Sequence, residues 1–314
     1  MSTKAITKKS FAVLPSPMAA SIKRVFMPPD DPCAEYKRRV FEALGMKCSD
    51  LPKKAADCRG GLLELSSLSV LPEKFHDMVT KAQAALIAPE LDGIGSIMAG
   101  MDAADRKKII PALPMRYWGM IESVREFMKN KGGGELVSFR ICMNLPQSRK
   151  GMFGDFSKSF FPQVIDIACL IAGDKPEKIQ FKRTPKFNSA FGIVQFPGNI
   201  IAELDVNECL SDSMEPIRFI HAYCKEGAIS NLPFGGYTNA EGALVATADG
   251  VVRPVYEHNI WDGGDELDNF YFRMIYKIRN GESLSVPGIT YGRLVKAVAA
   301  ATRADFVTLN GGAA

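Results

Sequence analysis

The chain has 314 residues, 46% of them apolar, enough for two ordinary domains with real cores. Its net charge of +4 is slight, and Lys8-Lys9, Lys37-Arg38-Arg39 and Arg106-Lys107-Lys108 are short, separated runs. They read as solvated faces, so no nucleic-acid partner is expected. Seven cysteines (33, 48, 58, 142, 169, 209 and 224) are scattered without a CxxC, which suits reduced thiols in a cytoplasmic protein better than a disulfide framework or a zinc site. His76, His221 and His258 form no HxxxH or HExxH, so no metal site is expected. MSTKAITKKS has no apolar signal-peptide core, and no run approaches roughly 18 apolar residues, so no membrane partner is expected either.

In chain order, Phe11–Leu14 is a short apolar run that reads as a first strand. Pro15-Ser16-Pro17-Met18-Ala19-Ala20 follows, with two prolines and no glycine. Lys23–Met27 reads as a second strand, which leaves about eight residues for the helix between them, where about ten or more are usual. Pro28-Pro29-Asp30-Asp31 ends that strand, and Asp30 or Asp31 can N-cap the next helix, Cys33–Leu44. Leu62–Leu68 reads as a strand, His76–Gln83 as a helix, Ala85 onward as a strand closed by Pro89, Ser96–Ala104 as a helix and Lys108–Leu113 as the last strand of a first domain.

Met115-Arg116-Tyr117 then leaves that domain. Ile121, Val124, Phe127 and Met128 fall on one helical stripe. The stretch from Asn130 to Gly134 ends the helix, and Val137, Phe139 and Ile141 alternate as in a strand. Val164, Ile165, Ile167, Ala168, Leu170 and Ile171 make the helix before Gly173 apolar nearly all round, so it should be buried. The remainder reads as strands: Ile179 and Phe181; Phe191–Phe196 and Ile200–Val206 across Pro197-Gly198-Asn199; Ile217–Tyr223 and Ala228–Asn231; and a hairpin, Ala243–Ala248 with Val251–Val255, across Asp249-Gly250. Ala202, Leu204 and Val206 share one face with Ile200, and Glu203, Asp205 and Asn207 share the other. Leu267–Ile278 and Thr290–Thr302 are amphipathic helices, and Val307–Leu309 is a closing strand.

The order "strand, Arg-aromatic, helix, Gly, strand" at Met115–Ile141, with the helix, strands and helices that follow, resembles the glucose–fructose oxidoreductase / inositol dehydrogenase family. These are NAD(P)-dependent sugar and polyol dehydrogenases. The resemblance implies an α/β protein: a reduced Rossmann-like parallel domain over residues 1–113, then an α+β domain with an open, mostly antiparallel sheet over 114–314. It also shows what this chain lacks. The glycine-rich pyrophosphate turn is absent from the expected place. The family's Glu-Lys-Pro becomes Ile87-Ala88-Pro89, and alanine offers no hydrogen bond. The family's Asp-x-Gly-x-His-x-x-Asp keeps its last acid as Asp166 but has Gln163 for the histidine. Asp30 or Asp31 occupies the place of the family's ribose-binding acid.

Three losses at three expected places favour a divergent protein without the usual NAD(P)-dependent reaction, one that binds a sugar-like small molecule or serves as a partner subunit. No cofactor is expected on that reading. The substrate-binding candidates are Arg116, Gln163 and Arg140. Asp166 and Tyr117 are the catalytic candidates. The alternative is an active oxidoreductase with an altered grip on NAD or NADP and a different proton relay through Tyr117, Lys158 or Asp166. An open sheet with helices on one face leaves its other face bare, which points to a homodimer, or a heterodimer with an active relative.

Overall fold

The computed structural model describes residues 22–31, 33–68, 70–89, 94–129, 133–151, 153–184, 186, 188–232, 242–247, 252–256, 266–279 and 307–310. The expected strand Phe11–Leu14, the turn Pro15–Ala20 and the helix Thr290–Thr302 lie outside them.

Five short strands form a parallel sheet: β1 (Arg24–Met27), β2 (Lys47–Asp50), β3 (Leu62–Leu65), β4 (Ala84–Ile87) and β5 (Ile109–Pro111). Helices α1 (Ala34–Ala43), α2 (Phe75–Lys81), α3 (Ile94–Ala99) and α4 (Ala103–Lys107) lie between them in sequence. The strand order is β2-β1-β3-β4-β5. β1 therefore lies where the chain reverses direction across the sheet, the switch point at which such folds bind their ligands. This corrects the expectation that Lys23–Met27 is a second strand. Among the described strands it has the switch-point place of a first strand, its outer neighbour is β2, and the helix after β1 runs a full ten residues. Lys47-Cys48-Ser49-Asp50 has no apolar alternation, which is why it does not read as a strand.

Helix α5 (Gly119–Lys129) follows a 3-10 turn at Pro114–Tyr117, and β6 (Leu136–Pro146) opens the second sheet. Phe156–Phe160 is a π-helical turn that runs into α6 (Phe161–Ala172). Then come β7 (Lys178–Thr184), β8 (Ser189–Phe196), β9 (Ile200–Leu210), β10 (Ile217–Cys224), β11 (Gly227–Ser230), β12 (Gly242–Thr247), β13 (Val252–Tyr256), α7 (Glu266–Arg279) and β14 (Val307–Asn310). The nine strands are ordered β13-β12-β11-β10-β6-β9-β8-β7-β14. Every neighbour pair is antiparallel except β6 with β9. Helices α5 and α6 pack on one face of this sheet. The expected architecture, a parallel domain followed by an open, mostly antiparallel sheet, is the one observed.

One apolar core joins the two sheets. It runs from Val25, Met27, Phe41 and Leu62 through Met115 and Trp118 to Phe139, Phe161, Phe181 and Leu204. Helix α7 bridges the seam: Tyr271 meets Phe41 edge-on at 4.9 Å and Phe270 meets Tyr117 at 5.4 Å. A second cluster on the far side of the parallel sheet holds Leu63, Leu65, Phe75, Val79 and Ala85.

Close backbone packing sets the register at the β11 end. A Cβ on Gly227 would stand 2.4 Å from the carbonyl oxygen of Ala246 on β12, too close for any side chain. Gly227→Ala should therefore destabilise the fold by about 1–3 kcal/mol, read as a shift in the denaturant midpoint at constant slope.

Candidate ligand cleft between the two sheets

The switch point is filled from within the chain. Asp31, in the turn after β1, has a fully buried carboxylate. Its Oδ1 accepts the backbone N–H of Cys33 (2.8 Å), and its backbone carbonyl accepts the N–H of Ala34 (3.0 Å), so two donors at the start of α1 are already used. Oδ2 accepts Lys37 Nζ (2.7 Å) and Ser67 Oγ (2.8 Å). Lys37, itself buried on α1, also donates to Glu64 Oε1 (2.8 Å) and Ser66 Oγ (3.1 Å). Burial alone would lower the Lys37 pKa, but Glu64, Tyr271 and Asp31 outweigh it and hold the value well above the usual 10.5. Tyr271 reaches the same cluster from α7 by a hydrogen bond with Ser66, and burial pushes its phenol far up.

A dinucleotide's pyrophosphate needs free backbone N–H groups at a helix N-terminus. This turn instead presents a carboxylate, and Pro28, Pro29 and Pro32 carry no N–H. The strand order also moves the ribose-binding position. An acid about 20 residues after the turn, at the end of the second strand, is the one that meets an adenosine ribose. That residue is Asp50, exposed and 3.5 Å from Arg38. Asp30 sits instead in the exposed turn after β1. Asp50 was missed because β2 was missed.

Next to this cluster lies a cleft of about 710 Å³, walled on one side by Ser66, Ser67 and Ala88 and on the other by Gly151, Ser159 and Gln163. Its floor depends on Pro162. Proline has no N–H for the carbonyl of Lys158, and its ring crowds that carbonyl. The turn widens in response: Phe160 N–H reaches back five residues to Asp155 O (3.0 Å). The Asp155 side chain caps the start, accepting from Ser157 N and Lys158 N at 2.9 Å. Ser159 and Gln163 thus come one turn apart, and Gln163 Nε2 donates to Ser159 Oγ (3.0 Å) and to the Phe153 carbonyl (3.3 Å). Because a carbonyl can be faced only by the amide's N–H₂, the Gln163 orientation is fixed. Its buried Oε1 has no hydrogen-bond partner among the described residues.

The structure brings some of the expected site residues together and separates others. Ala88, Lys158 and Gln163 all line the cleft. Asp166 does not; it is buried and takes both oxygens to Arg116, which donates from Nε (2.5 Å) and Nη2 (2.6 Å). That pair ties the turn after β5 to α6, so the two residues act as a clamp between the sheets. Tyr117 is not among the lining residues but packs behind one of them, Phe270, and burial raises its phenol above 10.0 despite Arg116 and Arg273. Arg140 lies on the far face of the large sheet, 3.8 Å from Glu203 and 3.9 Å from Asp205 and over the Phe219 ring. Strand alternation explains this: Phe139 and Ile141 face inward, so Arg140 must face out.

Glu208 is among the cleft residues that the sequence reading does not single out. Glu208 on β9 is buried and lines the cleft. It continues the inward row of Ala202, Leu204 and Val206, so a charged residue at an inward position was the available signal. Among the described residues there is no group of three or more His, Cys, Asp or Glu that could hold a metal, and no helix long and apolar enough to cross a membrane. All seven cysteines are free.

A switch-point parallel sheet joined to an open, mostly antiparallel sheet by a helix defines the fold of the glucose–fructose oxidoreductase / inositol dehydrogenase type. An oxidoreductase from Agrobacterium radiobacter, solved with NAD+, L-tartaric acid and magnesium, has a TM-score of 0.66 at 14% identity, covering 93% of this chain and 99% of its own. The aldose-aldose oxidoreductase of Caulobacter crescentus, complexed with glycerol, gives 0.62 at 12% identity over 92% and 99%. Levoglucosan dehydrogenase with NADH and L-sorbose gives 0.61 at 12% over 89% and 86%. At these identities the likeness is one of fold. No protein-family model and no curated protein sequence matches the chain.

The buried charge cluster has a direct stability test. Lys37→Met would leave Asp31 and Glu64 buried without their cation and should cost about 3–5 kcal/mol at neutral pH by chemical denaturation. In the wild type, the folded lysine value is raised, so the bridge's contribution is complete below the usual 10.5 and is lost as pH climbs through the higher folded value.

Proposed function

We propose that this chain is a ligand-binding protein on a dehydrogenase fold, holding a hydroxyl-rich, sugar-like molecule in the cleft without carrying out NAD(P)-dependent hydride transfer. The observation that carries the reading is the Asp31 carboxylate at the start of α1, held there by Lys37 and Ser67. A second anion at that point would face repulsion from Asp31 and would find the N–H groups of Cys33 and Ala34 engaged. The relay positions support the same reading. Ala88, Ser159 and Gln163 stand where the family motifs have lysine, the first aspartate and histidine, and none of the three exchanges a proton near neutral pH. Asp166, being paired with Arg116, is assigned a structural role rather than a catalytic one.

The rival reading, an active oxidoreductase with an altered cofactor grip, has one feature in its favour. Asp50 is exposed at the end of β2, where an adenosine ribose would be met. Titration of the purified chain with NAD+, NADH, NADP+ and NADPH separates the two. The expected result is no saturable heat or fluorescence change up to millimolar cofactor. Micromolar binding of any form would establish the rival.

The outer face of the large sheet supports the further proposal of a homodimer. Phe191, Ile193, Ile201 and Tyr223 stand out from it, Phe191 and Tyr223 each 51% exposed. They surround the mixed-charge group of Arg140, Glu203 and Asp205, in which each sign can find the other across a two-fold axis. Light scattering should give twice the chain mass at micromolar concentration, and Ile201→Glu should return it to the monomer. A wild-type monomer would dismiss the interface.

A further inference from the structure

Among the described groups lining the cleft, Glu208 is a buried carboxylate that no cation closes upon. Oε1 accepts the backbone N–H of Gly151 and Oε2 accepts Asn188 Nδ2, both at 2.9 Å. Each oxygen therefore keeps a further lone pair. One of the two donors, Asn188, is a non-glycine residue held at φ +44°. Such conformations persist where surrounding structure enforces them, often at binding sites. Across the same cleft, Gln163 Oε1 is buried and has no donor among the described residues, and its orientation is fixed by the Phe153 carbonyl. The cleft is thus lined by a carboxylate with one protein donor on each oxygen and room for another, and by an amide oxygen that no described donor reaches.

We infer that Glu208 is a ligand-binding residue, acting with Gln163 as a pair of acceptors that reads the hydroxyl groups of a polyhydroxylated ligand. The inference rests on the ligand-binding reading above and deepens it. A buried acceptor left unmade is costly, whereas a hydrogen bond to a charged acceptor is among the stronger neutral–ion contacts. The pair would therefore favour donor-rich molecules and disfavour deoxy analogues. A purely structural Glu208, tethering the loop after β6 to β9, would need one acceptor for Gly151 and one contact with Asn188. A glutamine supplies both, since the Asn188 amide can turn its oxygen toward the new N–H₂.

The charge state enters in a defined direction. Burial raises the Glu208 carboxyl above its usual 4.5; the Gly151 and Asn188 hydrogen bonds and Lys150 oppose this, and Asp155 adds to it. Lys150 and Asp155 are on the loop after β6. Lys158 also lines the cleft, and Arg183 on β7 stands near Asp155. Because the folded value is raised, the carboxylate costs the ligand-free fold stability as pH rises through the window above 4.5. Removing the charge should not lower the melting temperature at pH 7, while ligand binding should suffer.

The test is calorimetric titration of the full chain with a panel of inositols, hexoses and pentitols, at pH 7 and down to pH 4, with Glu208→Gln alongside. The wild type should bind a member of the panel at pH 7 and lose affinity as Glu208 protonates. Glu208→Gln should bind it about tenfold or more weakly, with a flat pH profile and an undiminished melting temperature. An unchanged affinity in Glu208→Gln overturns this inference and leaves the ligand-binding reading standing. A Glu208→Gln profile that keeps the wild-type pH dependence assigns the titration to another group and also overturns it. Should Glu208→Gln fail to fold, the wild-type pH series decides: an affinity flat through the carboxylate range rejects the role. No binding of any panel member by the wild type removes both this inference and the reading beneath it.

Discussion

Lys37 is the constraint on which the first half of the structure turns. It is a buried ammonium with three donors, and it spends them on Asp31, Glu64 and Ser66. Each carboxylate would be untenable in that position alone, and so would the cation. Together they fix the turn after β1, the start of α1, the interior of β3 and, through Ser66, the Tyr271 end of α7. An interaction of this kind contributes little net stability against an apolar replacement, but it has one geometry and tolerates no missing member. It also determines what the switch point can accept, because the anion that this fold ordinarily invites there is already present as a side chain.

The second half is organised by two related devices. Arg116 and Asp166 join the turn after β5 to the buried helix α6 with a two-pronged ion pair, which holds the two sheets at a fixed separation. Pro162 then forces the π-helical turn that sets Ser159 and Gln163 against the cleft. The cleft is thus shaped by one clamp outside its lining and one obligatory distortion within its wall. The charged groups lining it balance, Lys37, Lys150 and Lys158 against Asp31, Asp155 and Glu208, with serine hydroxyls and the Gln163 and Asn188 amides among them. That set suits a neutral, hydrogen-bonding molecule better than a strongly charged one.

Much of this was legible in the sequence wherever a period was clean. The stripe at Ile121, Val124 and Phe127, the all-round apolarity of α6 and the alternation of β9 each gave the right element on the right face. The order of elements was enough to suggest the second domain's fold without any single specific motif. Failures came where the signal was local and short. Lys47–Asp50 is a strand because β1 offers it a parallel edge, not because of its own residues, and missing it displaced the assignment of Asp30. Arg116 and Asp166 were seen as polar groups near a cleft; their mutual pairing is a fact of packing that fifty residues of separation conceal. Glu208 was within reach, since it breaks an apolar row that had already been recognised.

The single parallel pair in the large sheet has a consequence for the order in which the protein can be assembled. β6 is central, yet both its neighbours arrive late: Ser138 pairs with Ile201 on one side and with Tyr223 on the other. During synthesis β6 emerges with both edges unpaired, and it stays so while α6, β7 and β8 are made. Those later segments can form their own local contacts, because β7, β8 and β9 follow one another as hairpins. The nascent chain must therefore shelter one long strand, with Phe139, Ile141 and Met143 on it, until β9 docks. Closure of such distant contacts is slow compared with local pairing, so the growing chain passes through a stage in which its future core is its most aggregation-prone surface. The buried amphipathic helix α5, made just before β6, is the element at hand to cover one face of that strand in the interval.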